Sequence, residues 1–323
     1  MKALAVFSGG LDSMLAVKLI VAQGINALGL FFETPFFTSG KARKSAASIN
    51  LPLKVIDLTE PHLEVVKNPK HGYGENMNPC IDCHALMLKK AGDMLQEEGA
   101  RFIFTGEVLG QRPMSQNKKA LLTVAAQSGY GNLILRPLSA KRLPVTLPEE
   151  MGWVRREELL DISGRSRKPQ MALAETFGIR EYPSPAGGCL LTDQIFSKRL
   201  KDLLSSRSDP DLREIELLKV GRHFRIGSRT KLVVGRNKQE NEVLLSLSKD
   251  SDLMLKTVTV PGPTALVLGD LSPQLEGLAA VITASYSDAK DGESAEVSFS
   301  REGTVKHGMA KGTDKKSFRA YMI

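Results

Sequence analysis

The string Ser8-Gly9-Gly10-Leu11-Asp12-Ser13 lies between a short apolar, β-prone run at residues 2–7 and an apolar pattern at helical spacing over residues 11–22. Strand, glycine turn and helix in that order leave the first N–H groups of the helix unpaired and direct its positive end into the turn. Glycine lets a ligand approach the backbone, so the string predicts a phosphate-binding loop. A glycine-rich turn alone is everyday structure. The full Ser-Gly-Gly-x-Asp-Ser string after the first strand of an α/β pattern is far more specific.

That pattern continues along the chain. Apolar runs at 27–32, 54–58, 101–105 and 133–135 read as buried strands, separated by helical stretches at 41–49, 81–98 and 116–127. Strands alternating with helices imply a parallel sheet, so the fold class is α/β. From 143 the chain becomes basic and breaks into short helices, with the turn-rich segment Tyr182-Pro-Ser-Pro-Ala-Gly-Gly188 and a polar linker at 205–211. Short strands near 222–226, 231–235, 252–258 and 265–268, with a helix at 239–247, then suggest a separate α+β unit. The expected organisation is a parallel-sheet nucleotide-binding domain at 1–142, a helical basic adaptor carrying Cys189 at 143–204, and a smaller C-terminal α+β domain at 217–323.

With 42% hydrophobic and 25% charged residues, the chain has the composition of a globular protein. No apolar run approaches the roughly 20 residues that span a bilayer, so a cytoplasmic protein without a membrane partner is expected. The net charge of +8 favours an acidic partner, nucleic acid above all. Arg155, Arg156, Arg165, Arg167 and Lys168, then Lys198, Arg199 and Lys201, gather positive charge just after the nucleotide domain, and Lys306, Lys311, Lys315, Lys316 and Arg319 make a basic tail. Glu157, Glu158 and Asp161 among them also suit an ordinary solvated face.

Three cysteines are too few for a disulfide scaffold. Cys80 and Cys83 form a Cys-x-x-Cys pair at the expected start of a helix, whose dipole favours thiolates. Cys189 follows Gly187 and Gly188 in a proline-flanked segment able to carry a third thiol towards the nucleotide crevice. Three thiolates can hold three irons of a [4Fe-4S] cluster and leave the fourth open to a ligand such as hydrosulfide. A zinc site would need a fourth donor, with His84 the nearest spare group; buried inert thiols are the alternative without chemistry. His62, His71 and His84 show no partner pattern and read as surface or packing residues.

The loop resembles that of the PP-loop ATP pyrophosphatases. The resemblance implies that Ser8, Gly9, Gly10 and Ser13 hold pyrophosphate while Asp12 places Mg2+ or orients the loop. The segment Thr105-Gly-Glu-Val-Leu-Gly-Gln-Arg-Pro-Met-Ser-Gln116 and the string Leu135-Arg136-Pro137-Leu138 resemble those of the 4-thiouridine synthetases, which implies Gly106, Gln111 and Arg136 as nucleotide-site residues. Phe32, at the end of the second strand, is expected to line the adenine side. Asn78-Pro79-Cys80-Ile81-Asp82-Cys83 is similar to a segment of the tRNA 2-thiouridylases, in which a distant paired cysteine carries a persulfide. His223-Phe224-Arg225, Val234-Gly235-Arg236-Asn237 and Asn241-Glu242 resemble the NFACT-R RNA-binding module.

These resemblances imply tRNA uridine thiolation, preferably to 4-thiouridine at position 8. ATP adenylylates a uracil carbonyl oxygen, and a sulfur nucleophile then displaces AMP. Implied cofactors are ATP, Mg2+ and a [4Fe-4S] cluster on Cys80, Cys83 and Cys189; implied partners are tRNA and either sulfide or a sulfur-donor protein, with a homodimer left open. Asp12 and the three cysteines are the candidate catalytic groups. The rival readings are a 2-thiouridylase using a Cys80/Cys189 persulfide, a PP-loop enzyme acting on a small metabolite, and a non-enzymatic RNA-binding adaptor.

Overall fold

Apolar residues on both faces of short strands require cover on both sides. The first half of the chain meets that requirement with helices flanking a parallel sheet. The computed structural model describes residues 1–184, 188–207, 209–290 and 292–323. It divides into two units, Met1–Thr192 and Asp193–Ile323. Gly187, expected above to help carry Cys189, lies outside the described residues.

In the first unit β1 (Lys2–Val6), α1 (Leu11–Ala22), β2 (Asn26–Glu33), α2 (Gly40–Ser48), β3 (Leu53–Asp57), α3 (Thr59–Lys67), α4 (Cys80–Asp93), β4 (Ile103–Thr105), α5 (Lys118–Ser128) and β5 (Ile134–Leu135) follow in order. The sheet runs β3-β2-β1-β4-β5, with every pairing parallel. Side chains alternate between faces along each strand. Ala3 and Ala5 pack with Met14, Leu15 and Ala42 on one face; Leu4, Leu30 and Ile103 pack with Leu88, Ala91 and Val124 on the other.

The strand order decides where a site can form. From β1 the chain moves outward to β2 and β3, then returns to place β4 on the other side of β1. Connections leave the carboxyl ends of β1 and β4 in opposite directions, which opens the crevice where doubly wound sheets bind ligands. The Ser8–Ser13 loop follows β1, and the loop beginning at Gly106 follows β4.

Beyond the sheet, α6 (Leu147–Glu150) opens with a capping box between Thr146 and Glu149, and α7 (Lys168–Thr176) packs against α1. A backbone bond from Gly164 N to Leu109 O, 2.7 Å, ties the approach to α7 onto the loop after β4. The basic stretch 143–204 thus contributes α6 and α7 to the first unit, while α8 (Gln194–Ser206) belongs to the second.

The second unit continues with α9 (Leu212–Leu217), capped by Asp211 and Glu214, so most of the expected linker is helix or cap. Then come β6 (Arg222–Arg225), β7 (Lys231–Val234), α10 (Lys238–Leu247), β8 (Leu253–Thr257), β9 (Thr264–Leu268), α11 (Pro273–Ser285), β10 (Ser294–Arg301) and β11 (Thr304–Lys311). Their sheet is antiparallel throughout, in the order β11-β10-β8-β9-β7-β6. The basic tail of the sequence reading is corrected here. Lys306 and Lys311 lie on β11, and Lys315, Lys316 and Arg319 on a closing 3-10 helix. An edge strand needs few apolar residues, and Ala310 alone is buried on β11, so the hydrophobic pattern there is weak.

Candidate nucleotide and thiol site

Gly9 adopts φ +77°, and a Cβ there would sit 2.6 Å from Ala42 Cα on α2. Only glycine fits that position without strain. Ser45 Oγ donates to the Gly9 carbonyl at 2.8 Å, and Ser13 Oγ donates to the Gly10 carbonyl at 2.7 Å. Ser8 Oγ accepts from Gly10 N at 3.3 Å. Helix α1 begins without a side-chain cap, so its first-turn N–H groups face the loop. Serine hydroxyls hold the carbonyls, and the donors are left for an anion.

Gly106 ends β4, where a Cβ would lie 2.4 Å from Ser13 N. Its glycine serves the close approach of β4 to the start of α1. Gln111 Nε2 donates to Asp12 Oδ2 at 3.0 Å and joins the same two elements. Burial pushes the Asp12 carboxyl up; the Gln111 hydrogen bond, the charges of Arg167 and Arg112, and the nearby Gln170 amide pull it back. Asp12 Oδ1 has no hydrogen-bond partner among the described residues.

Two expected nucleotide residues are differently employed. Phe32 is buried in the core on the α4 side, because alternation along β2 turns it there with Leu30. Arg136 is buried too; its Nε donates to Glu107 Oε2 at 2.9 Å and its guanidinium to the Leu121 carbonyl at 3.2 Å. Burial alone would raise Glu107, but Arg136 and His84 outweigh it and hold the carboxyl well below the usual range. Removing one partner of a buried ion pair strands the other charge. Arg136→Met is therefore expected to cost about 3 kcal/mol in urea unfolding. Because the folded Glu107 pKa lies below its unfolded value, this stabilisation is present above the ordinary glutamate value and fades as pH falls below it. Wild type and variant should converge in stability at low pH.

The thiols gather at the same edge. Cys80 opens α4, and Asn78 Nδ2 donates to its Sγ at 3.1 Å. Cys83, one turn later, has His62 Nε2 3.1 Å from its Sγ. Leu190 N donates to the Phe36 carbonyl at 3.0 Å, and Asn76 Nδ2 to the Thr192 carbonyl at 2.9 Å. Cys189 is thus pinned between the loop after β2 and the loop before α4. All three cysteines are free. Burial pushes the Cys83 thiol well up, and Cys189, Cys80 and Asp82 add to the effect. Burial also takes Cys189 to about 11, with Cys80 adding and Arg112 opposing.

Among the described residues no three His, Cys, Asp or Glu side chains converge as a single metal ion requires. His84, the spare ligand in the zinc reading, is turned to Glu107 at 2.8 Å. A four-iron cluster makes a different demand, one thiolate per corner around a shared space. Three free thiols that feel one another's charge within one crevice suit it in number and chemistry. The histidines were misread. His62 is buried against Phe36 and Phe37 beside Cys83, and His71 Nδ1 lies 2.8 Å from Asp82 Oδ1. Arg112 and Arg167 escaped the sequence reading as site residues, since nothing local pairs either with Asp12.

A parallel sheet whose first strand feeds a Ser-Gly-Gly-x-Asp-Ser loop at the switch point defines a PP-loop domain. Its particular kind follows from likeness to known proteins. Residues 1–142 match the ThiI family, described as thiamine biosynthesis protein, and residues 221–322 match the NFACT protein RNA binding domain. The chain thus joins a ThiI-family domain to an NFACT-type RNA-binding domain. It is 32% identical over 162 residues to the probable tRNA sulfurtransferase of Lysinibacillus sphaericus (strain C3-41), covering 47% of this chain and 38% of that protein. Identity to the tRNA-specific 2-thiouridylase MnmA 2 of Thermoanaerobacter sp. (strain X514) is 24% over 240 residues, covering 67% and 63%. The chain therefore spans less than two thirds of the length of either relative. A solved 4-thiouridine synthetase–RNA complex with bound ATP overlaps 55% of this chain and 51% of its own at 20% identity, with a TM-score of 0.34.

Proposed function

We propose that the protein thiolates a uridine of tRNA at the expense of ATP. One observation carries the reading: Arg112 lies within electrostatic reach of both Asp12 in the loop and Cys189 in the thiol group. Phosphate chemistry and sulfur chemistry therefore share one crevice. The relatives named as tRNA sulfurtransferase and 2-thiouridylase support the same reaction class, and the C-terminal RNA-binding domain supports an RNA substrate.

In this mechanism the loop N–H groups and the α1 terminus hold the β- and γ-phosphates, with Asp12 oriented by Gln111 to position Mg2+. A uracil carbonyl oxygen attacks the α-phosphorus, and pyrophosphate leaves. A sulfur nucleophile then attacks the activated ring carbon, and AMP departs with the oxygen. Adenylylation is needed because a carbonyl oxygen is a poor leaving group. Cys80, Cys83 and Cys189 are the residues to hold a [4Fe-4S] cluster, which when bound supplies an open iron for a sulfur ligand. Metal binding displaces thiol protons, whereas a persulfide route needs a ready thiolate, and burial works against one at Cys189. The likeness of residues 105–116 to the 4-thiouridine synthetases favours 4-thiouridine at position 8.

The test is anaerobic incubation with unmodified tRNA, ATP and sulfide, reading pyrophosphate release, thionucleoside by chromatography, and iron and acid-labile sulfide in the protein. Pyrophosphate that forms only with tRNA, together with thiouridine, is the expected result. Equal pyrophosphate release without RNA and no thionucleoside would remove the proposal in favour of a small substrate. Binding of tRNA should weaken steeply between 50 and 200 mM salt, as phosphate contacts release counterions.

A further inference from the structure

Gln170 on α7 is wholly buried, yet neither its Oε1 nor its Nε2 has a hydrogen-bond partner among the described residues. The same is true of Arg167 Nε, three residues earlier, and of Asp12 Oδ1. Residues three apart on a helix share a face, and α7 packs on α1, which carries Asp12. Native interiors leave few polar atoms unpaired, and each costs about 1–3 kcal/mol. Four such atoms around one carboxylate mark a space that a polar ligand completes.

The charge there names the ligand class. Arg112 and Arg167 both act on Asp12, so two guanidiniums face one carboxylate beside the anion-binding end of α1. Gly164 N bonds to Leu109 O at 2.7 Å, and a Cβ on Gly110 would lie 3.3 Å from Gly164 N, so the approach to α7 is locked to the loop bearing Gln111 and Arg112. An RNA backbone cannot reach a fully buried amide, whereas a polyphosphate lying along the loop can. The sequence reading had counted Arg167 with the RNA-facing charges.

We propose that Arg167 and Gln170, which lie outside residues 1–142, form the second wall of the polyphosphate site, gripping the β- and γ-phosphates of a nucleoside triphosphate across from the Ser8–Ser13 loop. Arg167 pairs with phosphate oxygens. Gln170 donates to one through Nε2, while its Oε1 accepts from a water in the hydrated phosphate shell. The inference rests on reading the loop as an ATP site.

The test is thermal stability of the full chain, wild type, R167M and Q170L, titrated separately with ATP, pyrophosphate and AMP. Ligand-induced stabilisation reports affinity. Both variants should lose about tenfold or more in affinity for ATP and pyrophosphate, keep wild-type affinity for AMP, and regain part of the loss in R167K. Q170L without nucleotide should be as stable as wild type or more so, because an unpaired amide is removed. Wild-type pyrophosphate affinity in both variants would overturn the inference alone. So would a Q170L that loses unliganded stability and AMP affinity together, the mark of a packing role. A wild type stabilised by neither ATP nor pyrophosphate would overturn the reading of the loop as well.

Discussion

Alanine in place of Cys80, Cys83 or Cys189 is expected to lower tRNA thiolation by at least about a thousandfold while tRNA-dependent pyrophosphate release stays within about threefold of wild type. The two halves of the reaction use different residues. Ser8, Gly10, Ser13 and Ser45 hold the loop through their own hydrogen bonds, none of which involves a cysteine. The thiols are held by Asn78, His62 and the bonds on either side of Cys189. Adenylylated tRNA should therefore accumulate or hydrolyse in the variants. Pyrophosphate and thionucleoside measured in one reaction separate the outcomes, and parallel loss of both would show that the thiols serve the fold or the nucleotide instead. Iron content distinguishes the roles further, since all three variants should lose it together if the cluster is shared.

Gly9→Ala is expected to weaken ATP binding by about a hundredfold, or roughly 2.8 kcal/mol. The added Cβ would meet the backbone of Ala42 at 2.6 Å to Cα and 3.0 Å to N, in a left-handed conformation that L-residues rarely adopt. Neither neighbour is a flexible side chain, so the loop or α2 must move, and the loop N–H groups turn away from the phosphates. Gly24→Ala is the control. It has the same φ of +77° with nothing within 4 Å of the new Cβ. It should cost only the backbone strain, about 1 kcal/mol, and leave ATP affinity intact. Equal effects of the two substitutions on ATP would mean that the Gly9 loop is an ordinary turn.

What could be read from the sequence was what is local. Strand, loop and helix at β1 and α1 are contiguous, and their hydrophobic periods change within a few residues, so the phosphate loop was visible from the start. The parallel sheet followed from alternation, but strand order has no local signature, and the switch point between β1 and β4 emerges only in the fold. Arg136 shows the limit clearly. The Thr105-Gly-Glu and Arg136-Pro-Leu segments were both linked to the nucleotide, yet Glu107 and Arg136 are partners of each other, 29 residues apart. His62 reaches Cys83 across 21 residues, and Gln111 reaches Asp12 across 99. No spacing rule announces such pairs. In the second unit α11 and β10 went unread as well, since the sequence reading stopped at the strand ending in Leu268.

The pinning of Cys189 by Phe36 and Asn76 has a consequence in time. As the chain emerges from the ribosome, the five-stranded sheet is complete in sequence once Leu135 has been made, and Cys80 and Cys83 are already in place on α4. The third thiol arrives roughly 3–10 s later at synthesis rates of about 5–20 residues per second. During that interval a nascent chain offers two thiols and no lid, a weak chelator that releases what it catches. Loading of iron or sulfur therefore belongs to the finished polypeptide, after the segment at 189–192 has docked, and biogenesis has a built-in order: nucleotide fold first, sulfur centre last.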